Sequence, residues 1–101
     1  MVSCLFNTDF APVADVWTNP ANTVIGDRAY SDDFEQAAEL VASAVRGFPD
    51  AGVICCLKHF PGHGDTSTDT HEGAAVVSQS LDDMRPGEFL PFHSGLEDGA
   101  D

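Results

Sequence analysis

The sequence predicts an α/β chain built on a parallel strand–helix–strand unit, and three observations carry that expectation. An unbroken apolar run, Val53-Ile54-Cys55-Cys56-Leu57, contains β-branched residues and suits a strand buried on both faces, as in a parallel sheet. Upstream of it, Phe34, Ala37, Ala38, Val41, Ala44, Val45 and Phe48 recur at helical spacing. Directly after the run, residues 58–71 read KHFPGHGDTSTDTH and hold three of the four histidines and the only lysine. In parallel α/β folds the C-terminal ends of the strands are where ligands bind.

In chain order, the first strand is expected within Leu5 to Val13, with Pro12 ending or bending it. Asp15 then lies past the strand at the ligand-facing edge, either contacting a ligand or orienting Arg28 and the loops. Residues 17–30 read as loop, marked by Asn19-Pro20, Asn22 and Gly26-Asp27. Asp32 with Glu35 fits a capping box for the long helix, which should run to about Arg46 or Gly47 before Gly47 and Pro49 stop it. Val53 begins the second strand, completing a βαβ unit. Gly73 to Val77 is expected to be a short extended piece. Ser80 should cap a helix from Leu81, with Asp82 and Asp83 favouring its dipole. Proline in a helix interior costs roughly 3 kcal/mol and glycine about 1, so Pro86-Gly87 should break that helix at Arg85. It should restart near Glu88 and be weakened by Gly95 and Gly99.

The segment after the second strand carries the chemistry. Lys58 and His59 stand at the strand's end, and Pro61-Gly62-His63-Gly64 reads as a turn opening a loop. Asp69 and His71 are two residues apart, which in extended backbone points both to one side. A carboxylate there can set the imidazole tautomer for general acid/base work, or simply order the loop. Lys58 and His59 can donate to a ligand's hydroxyls, or be solvated. His63, between two glycines, either contacts a ligand or shapes the turn. His59, His63, Asp65, Asp69 and His71 also offer donors suited to zinc. Their spacing matches no tight ligand motif, and neither a metal nor a cofactor is assigned.

These residues resemble a known family. KHFPGHGDT followed by Asp-x-His is similar to glycoside hydrolase family 3, in its β-N-acetylhexosaminidase branch. FAPVADV at 10–16, Asn19-Pro20, VIGDR at 24–28, Leu90-Pro91-Phe92 and Gly99-Ala100-Asp101 resemble further segments of that family in order and spacing. The resemblance runs from about Asn7 to Asp101. It implies that His71 is the catalytic acid/base with Asp69 as its partner, and that Arg28, Lys58 and His59 bind the sugar. It implies hydrolysis of terminal N-acetylglucosamine by a retaining mechanism, with a saccharide as the partner. The family's nucleophilic aspartate, and a substrate-binding aspartate that precedes FAPVxDV, match no position here. The implied fold is a (β/α)8 TIM-type barrel, which typically takes about 250 residues. Residues 1–101 are therefore expected to be a central fragment of about two βα units. Such a fragment would leave strand edges unpaired and would be inactive when isolated. A phosphorylase of the same family and a non-catalytic sugar-binding remnant are the alternatives.

Seventeen acidic residues oppose four basic ones, for a formal charge of −13. That balance disfavours nucleic acid and anionic membranes as partners, and suits a soluble surface adapted to high salt. The odd set Cys4, Cys55 and Cys56 suggests neither a disulfide framework nor a metal motif. Buried apolar roles and a reducing, cytoplasmic compartment are expected. No signal segment or bilayer-length apolar run is present.

Overall fold

The computed structural model describes residues 5–67 and 73–101. Two short strands, β1 (Thr8–Asp9) and β2 (Ile54–Cys55), pair in parallel, with Thr8 opposite Ile54 and Asp9 opposite Cys55. Between them run a 3₁₀ turn at Gly26–Arg28 and the helix α1 (Phe34–Asp50). After β2 come α2 (Leu81–Met84) and α3 (Phe89–Glu97). The α/β class and the parallel strand–helix–strand order are as expected.

Pairing resumes beyond Pro12, where Val13 bridges Lys58. From Asp9 to Val13 the first strand advances four residues, while Cys55 to Lys58 is three. The extra residue is a bulge, and the Cys56 N–H is shared between the Asp9 and Ala11 carbonyls, both at 3.1 Å. The Ala11–Pro12 peptide is cis, as are Lys58–His59 and Phe60–Pro61. The bend expected at Pro12 therefore does not end the pairing. It shifts the register by one residue, so that Ala14 N–H donates to the Lys58 carbonyl at 2.6 Å.

The cap of α1 is Asp33 and not Asp32: its carboxylate accepts from Gln36 N–H at 2.8 Å. The helix also runs through Gly47 and Pro49 to Asp50. Proline sits there in the last turn, where one amide donor is lost but no later turn depends on it. The reversal comes at Gly52, whose φ of +69° is a conformation glycine adopts freely. Ala37, Ala38, Val41, Ala42 and Val45 are buried, so Ala42 joins the expected stripe.

The core consists of Ala14, Val41, Val45, Cys55 and Phe92, with Phe48, Leu57 and Ala100 against it. Burial pushes the Cys55 thiol above its ordinary pKa. Ile54, pointing to the other side of β2, is 47% exposed. Among the described residues the helices cover the face of β2 that carries Cys55. Cys56 is only partly buried, and Cys4 lies outside the described residues. The Asp101 N–H donates to the Cys55 carbonyl at 3.0 Å, on the edge of β2 turned away from β1.

Residues 73–77 form no strand. Ser80 caps α2 through Asp83 N–H at 3.2 Å, and the break at Arg85 and restart after Glu88 are as expected. Gly95 does the opposite of weakening α3. A Cβ there would stand 2.7 Å from Leu57 Cδ1 and 3.3 Å from Val41 Cγ1, so its lack of a side chain lets α3 close onto the core.

Candidate active site

The site is built around a carboxylate from the first half of the chain. Asp15 is 1% exposed. Its Oδ2 accepts the His59 backbone N–H at 3.1 Å and lies 2.6 Å from His59 Nδ1. Its Oδ1 accepts the His63 backbone N–H at 2.6 Å. A carboxylate only accepts, so His59 Nδ1 carries the proton and Nε2 faces the other way as an acceptor. Asp15 therefore orients the motif turn and the ring of His59. Of its two expected duties, the second is the one seen, with the turn as its object in place of Arg28. With Val13 opposite Lys58, Asp15 falls beside the motif turn just past β2.

The turn itself is closed locally. Thr66 Oγ1 donates its one proton to the His63 carbonyl at 2.9 Å, so the contact between Thr66 Oγ1 and His63 Nδ1 uses a ring N–H. His63 Nε2 is then an acceptor, and it is buried without a partner among the described residues. Of the two readings of His63, these contacts support the turn-shaping one. Phe60 stacks on Phe89 and meets Phe92 edge-on, both with centroids 5.4 Å apart, which ties the turn to α3.

A second tie comes from the loop after β1. Asn22 is fully buried. Its amide donates to the His63 carbonyl at 2.6 Å, while its Oδ1 accepts from Val24 and Ile25 N–H at 3.0 and 2.9 Å. Asp65 accepts from Thr18 Oγ1 at 3.0 Å and, through its carbonyl, from Asn19 Nδ2 at 3.2 Å. Gly64 makes this approach possible, because a Cβ there would overlap the Val16 carbonyl. Sequence reasoning had Asn22 only as a loop marker. The visible signal is an Asn two residues past Asn19-Pro20, where an Asx turn is favoured.

Lys58 and His59 are adjacent at the strand end, and both are partly buried. Arg28 is exposed in the 3₁₀ turn, where Nη1 donates to the Val24 carbonyl at 3.1 Å. No hydrogen bond or ion pair among the described residues joins it to Lys58 or His59. Asp69 and His71 lie outside the described residues. A cavity of about 230 Å³ opens among His59, Phe60, Gly62, His63, Thr66 and Val77. Ligand clefts usually span ~300–1,000 Å³, so these residues make up part of a wall. Among the described residues no group of three His, Cys, Asp or Glu side chains is placed to hold a metal. No helix there is long and apolar enough to cross a membrane.

Comparison with known proteins fits this geometry. The family model for the glycosyl hydrolase family 3 N terminal domain matches residues 1–101. The chain belongs to glycosyl hydrolase family 3. A relative within the family is a beta-hexosaminidase of Stenotrophomonas maltophilia (strain K279a), 42% identical over 92 residues, 91% of this chain and 27% of the relative. Among solved structures, a family 3 beta-N-acetylglucosaminidase from Paenibacillus sp. str. FPU-7 superposes with a TM-score of 0.89 at 44% identity. That match covers 94% of this chain and 18% of the other. NagZ from Neisseria gonorrhoeae, solved in complex with N-trifluoroacetyl-D-glucosamine, gives a TM-score of 0.86 at 31% identity, over 98% of this chain and 28% of that one. This family 3 chain thus spans about a quarter of the length of its curated relative.

Proposed function

We propose that these residues form the sugar-anchoring and acid/base part of a β-N-acetylglucosaminidase site in a (β/α)8 barrel. The observation that carries the reading is the buried Asp15 carboxylate, which sets the His59 tautomer beside Lys58 at the end of a parallel strand. His59 Nε2 accepts from a sugar hydroxyl, and Lys58 donates to one. Arg28 donates its planar fork to neighbouring hydroxyls, after releasing the Val24 carbonyl or from its remaining N–H groups. His71 protonates the departing glycosidic oxygen and then takes a proton from the attacking water, and Asp69 holds its tautomer. The nucleophile that a retaining reaction requires matches no residue of this chain, so none is assigned here. The beta-hexosaminidase relatives at about 42% identity favour N-acetylglucosamine as the sugar.

The test is release of nitrophenol from 4-nitrophenyl N-acetyl-β-D-glucosaminide by an enzyme in which these residues stand together with the nucleophile, with His71→Ala beside the unmodified form. Loss of general acid catalysis should lower the rate about 10²–10⁴-fold. The loss should be greater for an alkyl glycoside, whose leaving group needs the proton more. Equal turnover by His71→Ala on both substrates removes His71 from the acid/base role. Phosphate-dependent release of a sugar phosphate identifies a phosphorylase. Sugar binding without any turnover identifies a binding module.

A further inference from the structure

Residues 66–78, which include Asp69 and His71, are bracketed by a contact that the acid/base reading does not use. The side chain of Gln79 donates from Nε2 to Asp65 Oδ2 at 3.0 Å and to Glu88 Oε1 at 2.8 Å. A carboxamide nitrogen has two hydrogens, and here each goes to a different carboxylate. Asp65 and Gln79 are 14 residues apart. Asp65 is itself held by Thr18 and Asn19, and so belongs to the rigid side of the site.

Glu88 supports the contact from below. It is 3% exposed at the N-cap of α3, and its Oε2 is buried with no partner among the described residues. A carboxylate buried with one oxygen unsatisfied is costly. The helix N-terminus offsets part of that cost. The break at Pro86-Gly87 brings the chain into place: Gly87 lies against the Phe34 ring, where a Cβ would stand 3.0 Å from Cζ. Glu88 packs under the motif turn, since a Cβ at Gly62 would stand 3.1 Å from Glu88 Cβ.

We propose that Gln79 is a positioning residue, whose amide clasps Asp65 and Glu88 and so fixes both ends of the segment bearing the acid/base pair. Holding the ends of a catalytic segment raises the share of molecules with the acid correctly placed, and so raises kcat more than it improves KM. The proposal rests on the acid/base assignment of His71, and its test separates the two.

Three variants, made in an enzyme in which these residues stand together with the nucleophile, decide it. Gln79→Ala removes both donors, Gln79→Glu sets a third carboxylate between the first two, and Gln79→Lys restores donors to both. Hydrogen exchange read by mass spectrometry reports on the clasp without any catalysis. Exchange across 66–78 should rise about tenfold in the Ala variant and further in the Glu variant. It should return near its starting value in the Lys variant, with α1 unchanged throughout. Unchanged exchange at 66–78, or a rise that extends equally over α1, overturns the clasp. With the chromogenic glucosaminide, kcat should fall about tenfold or more in Gln79→Ala at nearly constant KM, and recover in Gln79→Lys. A normal kcat in a variant with loosened ends overturns the positioning role. If His71→Ala turns over both glycosides as fast as the unmodified enzyme, the acid/base reading fails, while exchange still decides the clasp.

Discussion

Two glycines mark two different ways of holding this molecule together. At Gly95, α3 approaches α1 and the segment just after β2 through hydrocarbon, and the atoms facing the missing Cβ are methyl groups of Leu57 and Val41. At Gly64, the motif turn approaches the loop after β1 through backbone, and the facing atoms are the carbonyl group of Val16 and the amide nitrogen of Trp17. The helix layer is a packing problem, which side chains solve by changing rotamer. The turn is a hydrogen-bonding problem with assigned partners: Asp15 for His59 and His63, Asn22 for the His63 carbonyl, Asp65 for Thr18. Methyl groups can give way by tenths of an ångström, whereas a carbonyl held in a loop moves only with its loop. The chain thus places its chemistry on the less forgiving part.

Gly64→Ala is the sharpest way to break this contrast. Its Cβ must displace the Val16 carbonyl, so urea unfolding should show a loss of about 3 kcal/mol or more. A loss under about 1 kcal/mol would mean that the two segments are not locked together. Asp15→Asn comes next. It is nearly isosteric, but it turns one acceptor into a donor facing either His63 N–H or the two donors of His59. The expected cost is about 2–3 kcal/mol, together with weaker binding of N-acetylglucosamine measured by calorimetry, because the His59 tautomer is no longer imposed. Gly95→Ala should cost least, about 1 kcal/mol, since Leu57 can rotate away and alanine favours the helix. Pairing it with Leu57→Val should recover most of that loss in a double-mutant cycle. Failure to recover would move the obstruction from the Leu57 methyls to the backbone.

The fold was legible where local chemistry and periodicity agree. The heptad-like recurrence from Phe34 to Phe48 exists only on a helix, and Ser80 before Leu81-Asp82-Asp83 starts α2 as expected. Errors arose where a local rule met a tertiary context. Gly47 and Pro49 look like a helix stop, but a proline in the final turn disrupts almost nothing. Gly95 looks like a defect, but contact with Leu57 and Val41 makes it a requirement. Around the turn, the position of Lys58 and His59 just past the strand was legible from the apolar run before them. Gln79 and Glu88 were not, because a lone amide or acid outside a periodic stretch carries no such signal.

The sequence by itself determined the order of elements, the apolar face of α1 and the crowding of histidines at one strand end. These depend on neighbours a few residues away, whose spacing is set by backbone geometry. Only the tertiary structure decided that Asp15 serves His59 and His63, and that one Gln79 amide joins Asp65 to Glu88. The Asp15 partners lie 44 and 48 residues away, and they meet only because an extra residue near Pro12 moves the strand register by one. A one-residue shift turns every following side chain to the opposite face, so the partners could not be assigned until both strands were in place.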